Sequence, residues 1–240
     1  MKPHRRGPRT VGHRGASALA PENTLRAIEI AMDFGLDLVE VDVYLSRDGE
    51  LVAIHDEDLR RLAGRPERVA DLTAAELSRI DLGQGQGVPR LADLFALARR
   101  KIGVYVELKG ARTGAGLGQF VRSGAAEGVE LISGSFEPTL VRELRDTAPD
   151  VPRSVLFAPT ATPRMIEICA EVGARYAHPC FRPLDVTIVD GLHNAGLLVM
   201  APHTNDPREA QAFADIGIDV IATDDPRVLV ARAVPSRQDS

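Results

Sequence analysis

Glu40 and Asp42 lie two residues apart in Asp37-Leu-Val-Glu-Val-Asp-Val-Tyr-Leu45, a stretch with the composition of a β-strand. Side chains at i and i+2 of a strand share a face. The spacing therefore predicts Val39, Val41 and Val43 on one side and both carboxylates on the other. Two adjacent carboxylates repel, and burying them is costly without a compensating cation. The pair points to a bound metal, set against the plainer reading of a solvated face paired with arginines. The flanks bear on that choice. His13 and Arg14 end the strand before, and His55-Asp56 ends the strand after. Further on, Val104-Tyr-Val-Glu-Leu-Lys109 alternates again and puts Tyr105, Glu107 and Lys109 on one face.

These types suit one job. Glu40, Asp42 and Glu107 form an oxygen-rich set for one hard divalent cation, Mg²⁺ or Ca²⁺, whereas zinc would recruit more His or Cys. Arg14 and Lys109 can neutralise the non-bridging oxygens of a phosphate. Histidine titrates near neutral pH, so one of His13 and His55 can act as base and the other as acid. Together they describe phosphoryl-ester cleavage. Glu107-Leu-Lys109 alone reads equally well as a salt-bridged strand end. Asp56 reads as a turn cap bonding its own backbone.

The remaining histidines divide. His178 and His203 follow later strands, so four of the six histidines fall at the same end of the predicted elements. His178 reads either as a substrate contact or as a structural histidine held by backbone groups. His203 reads either as pocket lining or as part of a surface loop. His4 and His193 read as solvent-exposed. Ser135-Phe136 is assigned to packing and loop geometry, with a wall of the pocket as the second reading.

The elements that must position these residues alternate. Strands are predicted at 10–13, 38–44, 51–55, 103–107, 130–133, 153–156, 176–179, 197–201 and 220–223. Helices are predicted at 24–34, 91–100, 117–127, 139–147, 163–172, 187–195, 207–216 and 226–233. Asn23-Thr24 supplies a helix N-cap, and Pro138, Pro163, Pro207 and Pro226 mark first helical turns. The stripes Leu25, Ile28, Ala31, Met32 and Leu91, Leu94, Phe95, Ala98 face a core. Repeated strand–helix units of this length favour a (β/α)8 barrel, with the active site at the C-terminal ends of its strands. The chain is expected to be one domain over 1–240, its core about 9–233. Residues 57–90 break the rhythm and read as an insertion over the barrel mouth, with one short helical turn and a flexible Gly83-Gln-Gly-Gln-Gly stretch.

Bulk properties narrow the partners. The 240 residues are 44% hydrophobic and 26% charged, which allows a large core. A net charge of −5 with no basic block disfavours nucleic-acid or anionic-membrane binding, so a small anionic substrate must be drawn by local cations. Cys169 and Cys180 match no metal or redox spacing and read as small buried side chains. No apolar run approaches a signal peptide or a bilayer span, so no membrane insertion is expected. The oligomeric state is left open, and the expected setting is the reduced cytoplasm.

Gly12-His-Arg-Gly-Ala, Pro21-Glu-Asn-Thr, Glu40-Val-Asp, Asp48-Gly-Glu-Leu-Val-Ala-Ile-His-Asp, Val106-Glu-Leu-Lys and Ile221-Ala-Thr-Asp-Asp-Pro occur in that order over nearly the whole chain. This set resembles the glycerophosphodiester phosphodiesterase family. The resemblance implies a TIM barrel with a small insertion after the second strand unit. It implies metal-dependent hydrolysis of glycerophosphodiesters to glycerol 3-phosphate and an alcohol. It places His13 and His55 as the acid–base pair, Glu40, Asp42 and Glu107 as metal ligands, and Arg14 and Lys109 on the phosphate. Two positions depart. The family's Trp-Thr pair after the seventh strand is Ala201-Pro-His-Thr-Asn in a chain without Trp, and its Thr-Leu before the second main helix is Arg90-Leu91. The first departure faces the alcohol or glycerol side of the pocket. That leaves lysophospholipid cleavage of the lysophospholipase D kind as a second enzymatic reading. A non-catalytic phosphodiester-binding barrel is a third, which the retention of every histidine and carboxylate disfavours.

Overall fold

The computed structural model describes residues 7–230. Eight parallel strands form a nearly closed barrel: β1 (Arg9–Gly12), β2 (Leu38–Leu45), β4 (Gly103–Leu108), β5 (Leu131–Ser135), β6 (Arg153–Phe157), β7 (Tyr176–Pro179), β8 (Leu198–Val199) and β9 (Val220–Thr223). The wall closes through a parallel bridge between Met200 and Val220, where Ala201 N–H donates to the Val220 carbonyl at 3.0 Å. The ninth strand, β3 (Leu51–Ala53), stands outside the wall and pairs antiparallel with β2.

That hairpin is the first difference from the sequence reading, which placed 51–55 as one more strand of the same rhythm. Alternation of apolar residues does not distinguish a parallel neighbour from an antiparallel one. The informative signal was Asp48-Gly49, with Gly49 at φ 81°, a residue pair that favours a reversal. The reversal matters for the site. Val43 pairs with Ala53, and Ile54 N–H donates to the Asp42 carbonyl at 2.9 Å, so His55 returns beside Asp42.

The helices pack outside the barrel: α1 (Leu25–Asp33), α4 (Leu91–Ala98), α5 (Thr113–Arg122), α6 (Pro138–Thr147), α7 (Thr162–Val172), α8 (Val186–Asn194) and α9 (Pro207–Asp215), with α10 (Arg227–Val230) at the end of the described chain. Val39, Val41 and Val43 are buried against this layer with Ile28, Leu94 and Phe95. The opposite faces of the strands fill the barrel with Leu38, Tyr105, Ile132, Leu156, Tyr176 and Met200. The predicted two-sided reading of β2 therefore holds, and its carboxylate face is the inner one. Helix α5 begins a turn earlier than expected because its glycines read as a loop. A Cβ at Gly114 would stand 2.1 Å from the Leu140 carbonyl, so the glycine permits close approach to α6.

Residues 57–90 fold as a packed unit. It holds α2 (Arg60–Ala63), a 3₁₀ turn (Val69–Asp71) and α3 (Ala74–Leu77), the last with a Thr73–Glu76 capping box. Leu59, Val69, Leu77, Ile80 and Val88 form a buried cluster with Val52 and Ile54 of the hairpin. The glycine-rich stretch is a hydrogen-bonded turn, with Leu82 N–H on the Gln86 carbonyl at 2.7 Å. His193, expected in solvent, pairs with Asp219 at 2.8 Å. His4 and the residues after Arg232 lie outside the described residues.

Candidate active site

Strands β2 and β4 are neighbours, and their register sets Asp42 beside Glu107 and Glu40 beside Tyr105. Ligand oxygens of Glu40, Asp42 and Glu107 fall within 4.8 Å of one another, and all three side chains are buried. Burial, then repulsion from Asp42 and Glu107, pushes the Glu40 carboxyl well above the ordinary Glu range. Glu107 is raised by burial and by Asp42. Two cations offset part of the charge. Lys109 Nζ lies 2.9 Å from Glu107 and 3.5 Å from Asp42, and Arg14 Nε lies 3.3 Å from Asp42. Glu40 accepts the Arg14 N–H on Oε2 at 2.8 Å, yet its Oε1 is buried with no hydrogen-bond partner. A buried carboxylate oxygen left without a partner beside two further carboxylates is what a hard divalent cation would satisfy, so the donor set fits one.

The loop between β1 and α1 holds this cluster. Arg14 sits at φ 53° and Asn23 at φ 58°, both left-handed, and such strain outside glycine gathers at functional sites. Gly15, at φ 80°, turns the chain so tightly that a Cβ there would lie 2.7 Å from Ala27 of α1. Asn23 is fully buried: its Nδ2 donates to Asp42 Oδ2 and its Oδ1 accepts the Asp42 N–H, each at 3.0 Å. Thr24 alone is the N-cap of α1.

Each histidine of the expected acid–base pair leans on a carboxylate. His13 Nδ1 is 2.7 Å from Asp224 Oδ1, and His55 Nδ1 is 2.6 Å from Asp56 Oδ1. Burial would raise the Asp224 carboxyl, but hydrogen bonds from His13, Asn205 and Ser17 hold it well below the usual range. Asp56 is likewise lowered, with bonds from Arg61 and His55 outweighing burial. An ionised carboxylate only accepts, so Nδ1 carries the proton and Nε2 is free in each ring. His13 Nε2 stands 4.0 Å from Glu40 Oε2. Asp56 thus holds His55 and Arg61, where the sequence suggested a backbone cap. Asp224 lay inside a recognised motif, yet only the meeting of β9 with β1 gave it a role.

A cavity of about 260 Å³ opens over these groups, lined by His13, His55, Lys109, His178 and His203 with Phe136 at 44% exposure. His178 is held by a backbone carbonyl and also faces the cavity. Its Nε2 donates to the Ala201 carbonyl at 3.1 Å while the ring lines the cavity, and burial lowers its pKa to about 4, so it is neutral at pH 7. His203 stacks on His13, ring centroids 4.2 Å apart and planes 8° from parallel. It lines the cavity from a loop.

A parallel barrel with carboxylates, cations and carboxylate-backed histidines at the C-terminal ends of its strands has the make-up of a phosphoric diester hydrolase. Residues 13–228 match the glycerophosphoryl diester phosphodiesterase family. The glycerophosphodiester phosphodiesterase of Caldanaerobacter subterraneus subsp. tengcongensis is 30% identical over 236 residues, covering 92% of this chain and 95% of that one. Among solved structures, an Oleispira antarctica phosphodiesterase in complex with the product sn-glycerol-3-phosphate superposes with a TM-score of 0.86 at 25% identity, over 95% of this chain and 98% of that one. The Agrobacterium tumefaciens glycerophosphodiester phosphodiesterase gives 0.79 at 29% identity, over 93% and 99%. The chain belongs to the glycerophosphoryl diester phosphodiesterase family and is a phosphoric diester hydrolase. Among the described residues no helix is long and apolar enough to cross a membrane.

Proposed function

We propose that the protein hydrolyses glycerophosphodiesters to glycerol 3-phosphate and an alcohol, with one divalent cation, Mg²⁺ or Ca²⁺, held by Glu40, Asp42 and Glu107. The observation that carries the reading is the unpartnered, buried Oε1 of Glu40 within the three-carboxylate cluster. When bound, the cation supplies positive charge for the non-bridging oxygens of the phosphate. Arg14 and Lys109 bind and orient that phosphate from the same face. His13 and His55 divide the proton work: one takes the proton of the attacking hydroxyl on Nε2, and the other gives its Nε2 proton to the leaving alcohol oxygen. Asp224 and Asp56 keep each ring in the required tautomer and stabilise its charged form.

The product held by the Oleispira antarctica relative supports glycerol 3-phosphate as the common product. The apolar residues of 57–90 are taken up in their own buried cluster, which does not favour a lysophospholipid acyl chain lying on the insertion. The two free cysteines suit the reducing cytoplasm, where we place the protein. Turnover of glycerophosphocholine, measured with and without EDTA, tests the reading. Chelation should abolish turnover and added Mg²⁺ or Ca²⁺ should restore it. Full activity in EDTA would end the metal assignment.

A further inference from the structure

We propose that Arg61, from the inserted segment, is a positioning residue of the hydrolytic site, setting His55 through Asp56 and Arg14 through Glu22. The inference deepens the function proposed above and rests on it. Arg61 lies on α2, and its guanidinium engages two carboxylates at once. Nε donates to Asp56 Oδ2 at 2.5 Å, while Nη1 and Nη2 donate to Glu22 Oε2 and Oε1 at 2.9 and 2.7 Å. Asp56 passes its other oxygen to His55 Nδ1 at 2.6 Å. Glu22 accepts Arg14 Nη1 at 2.9 Å, and Arg14 Nε reaches Asp42 at 3.3 Å. One unbroken chain of charged groups therefore runs from a metal-site carboxylate, through the inserted segment, to one of the two histidines.

The chain joins the loop before α1 to a segment 39 residues away in sequence, where the hairpin end at His55 runs into α2. Among the described residues no backbone hydrogen bond ties these two segments together, so the guanidinium is the joint. A planar fork with donors in fixed directions can hold both carboxylates in register, whereas the single ammonium of a lysine cannot. Arg61 is half exposed and does not line the cavity, so its contacts add little to stability. What they fix is direction. Without Arg61, the Asp56 carboxylate is free to rotate away from His55 Nδ1, and Glu22 loses two of its three donated bonds. The inserted segment then acts on the site from behind it, through Asp56 and Glu22.

Steady-state kinetics on glycerophosphocholine at saturating divalent cation, with the full chain, test this. Arg61→Ala should lower kcat/KM by about 10–100-fold, the usual range for a partner that orients a metal-site group, with the melting temperature unchanged. Asp56→Asn should reproduce the fall in kcat, and Glu22→Gln should chiefly raise KM through Arg14. Adding Arg61→Ala to Asp56→Asn should cost less in kcat than it does alone, because both act on His55. Guanidinium ion in the buffer should restore part of the Arg61→Ala activity, and Arg61→Lys should fall between. Unchanged kinetics in Arg61→Ala, or losses fully additive with Asp56→Asn and no response to guanidinium, overturn the inference. An inactive wild-type protein would instead overturn the functional reading. Wild-type activity lost in His55→Ala but untouched in Arg61→Ala overturns the role of Arg61 alone.

Discussion

His13 and His55 are held alike, each with a carboxylate on Nδ1 and its ring lining the cavity, so position alone does not rank one as base and one as acid. What the pairing does fix is the tautomer. His13→Ala and His55→Ala should each lower kcat by about 10²–10⁴-fold, the usual contribution of a general acid or base, with little change in melting temperature. Asp224→Asn should act in the same direction through kcat more than KM, since an amide can offer its N–H to Nδ1 and leave the ring in the wrong tautomer. Wild-type kcat in Asp224→Asn would remove the positioning role. Asn23 shows a different kind of residue. Its amide meets Asp42 at both backbone and side chain, and nothing in Pro21-Glu-Asn-Thr foretold which neighbour it would serve.

At the scale of elements, the strand pair β2–β4 and the β1–α1 loop carry the site. The pair supplies carboxylates at fixed register, and the loop closes over them only because Gly15 turns against Ala27. Gly15→Ala should destabilise the protein by about 1–3 kcal/mol, since it adds left-handed strain to a steric clash. It should also weaken divalent-cation binding, because Arg14 N–H would leave Glu40. Thermal unfolding and a cation titration check both, and a fully stable variant with wild-type affinity would contradict this account of the loop. The insertion belongs to the same scale. Its charged surface hid a small apolar core that only its packing on the β2–β3 hairpin creates.

For the whole molecule, the acidic cluster makes stability depend on pH, and the proposed cation would shift that dependence. Burial raises Glu40 and Glu107 above the unfolded value of about 4.3. Below that value both states keep their protons and the cluster costs nothing. Above it the unfolded chain releases protons first, so stability falls with rising pH until the folded carboxyls ionise as well. A divalent cation held by the ionised folded site, as proposed, would offset that loss, by about 2.7 kcal/mol at a hundred times Kd. The increase in Tm on adding Mg²⁺ or Ca²⁺ should therefore grow from acidic to neutral pH. Comparing with and without cation at each pH cancels the opposite trend from Asp224, Asp56 and Glu22, whose lowered carboxyls lose stability as pH falls. A cation shift that is absent, or the same at every pH, would count against the site.

The alternation of β2 determined by itself that Glu40 and Asp42 share a face, and that of β4 that Glu107 and Lys109 do, because a strand has a period of two whatever surrounds it; the β2–β4 register brought the two faces together. The strand–helix rhythm likewise determined the barrel, and with it the end at which histidines and carboxylates would gather. Local pattern carries no information on which distant segments meet. Tertiary structure alone decided that Asp224 of the last unit backs His13 of the first, and that Arg61 spans Glu22 and Asp56. Those partners are set by closure of the barrel and by packing of the insertion, where contact depends on space and not on spacing in the chain.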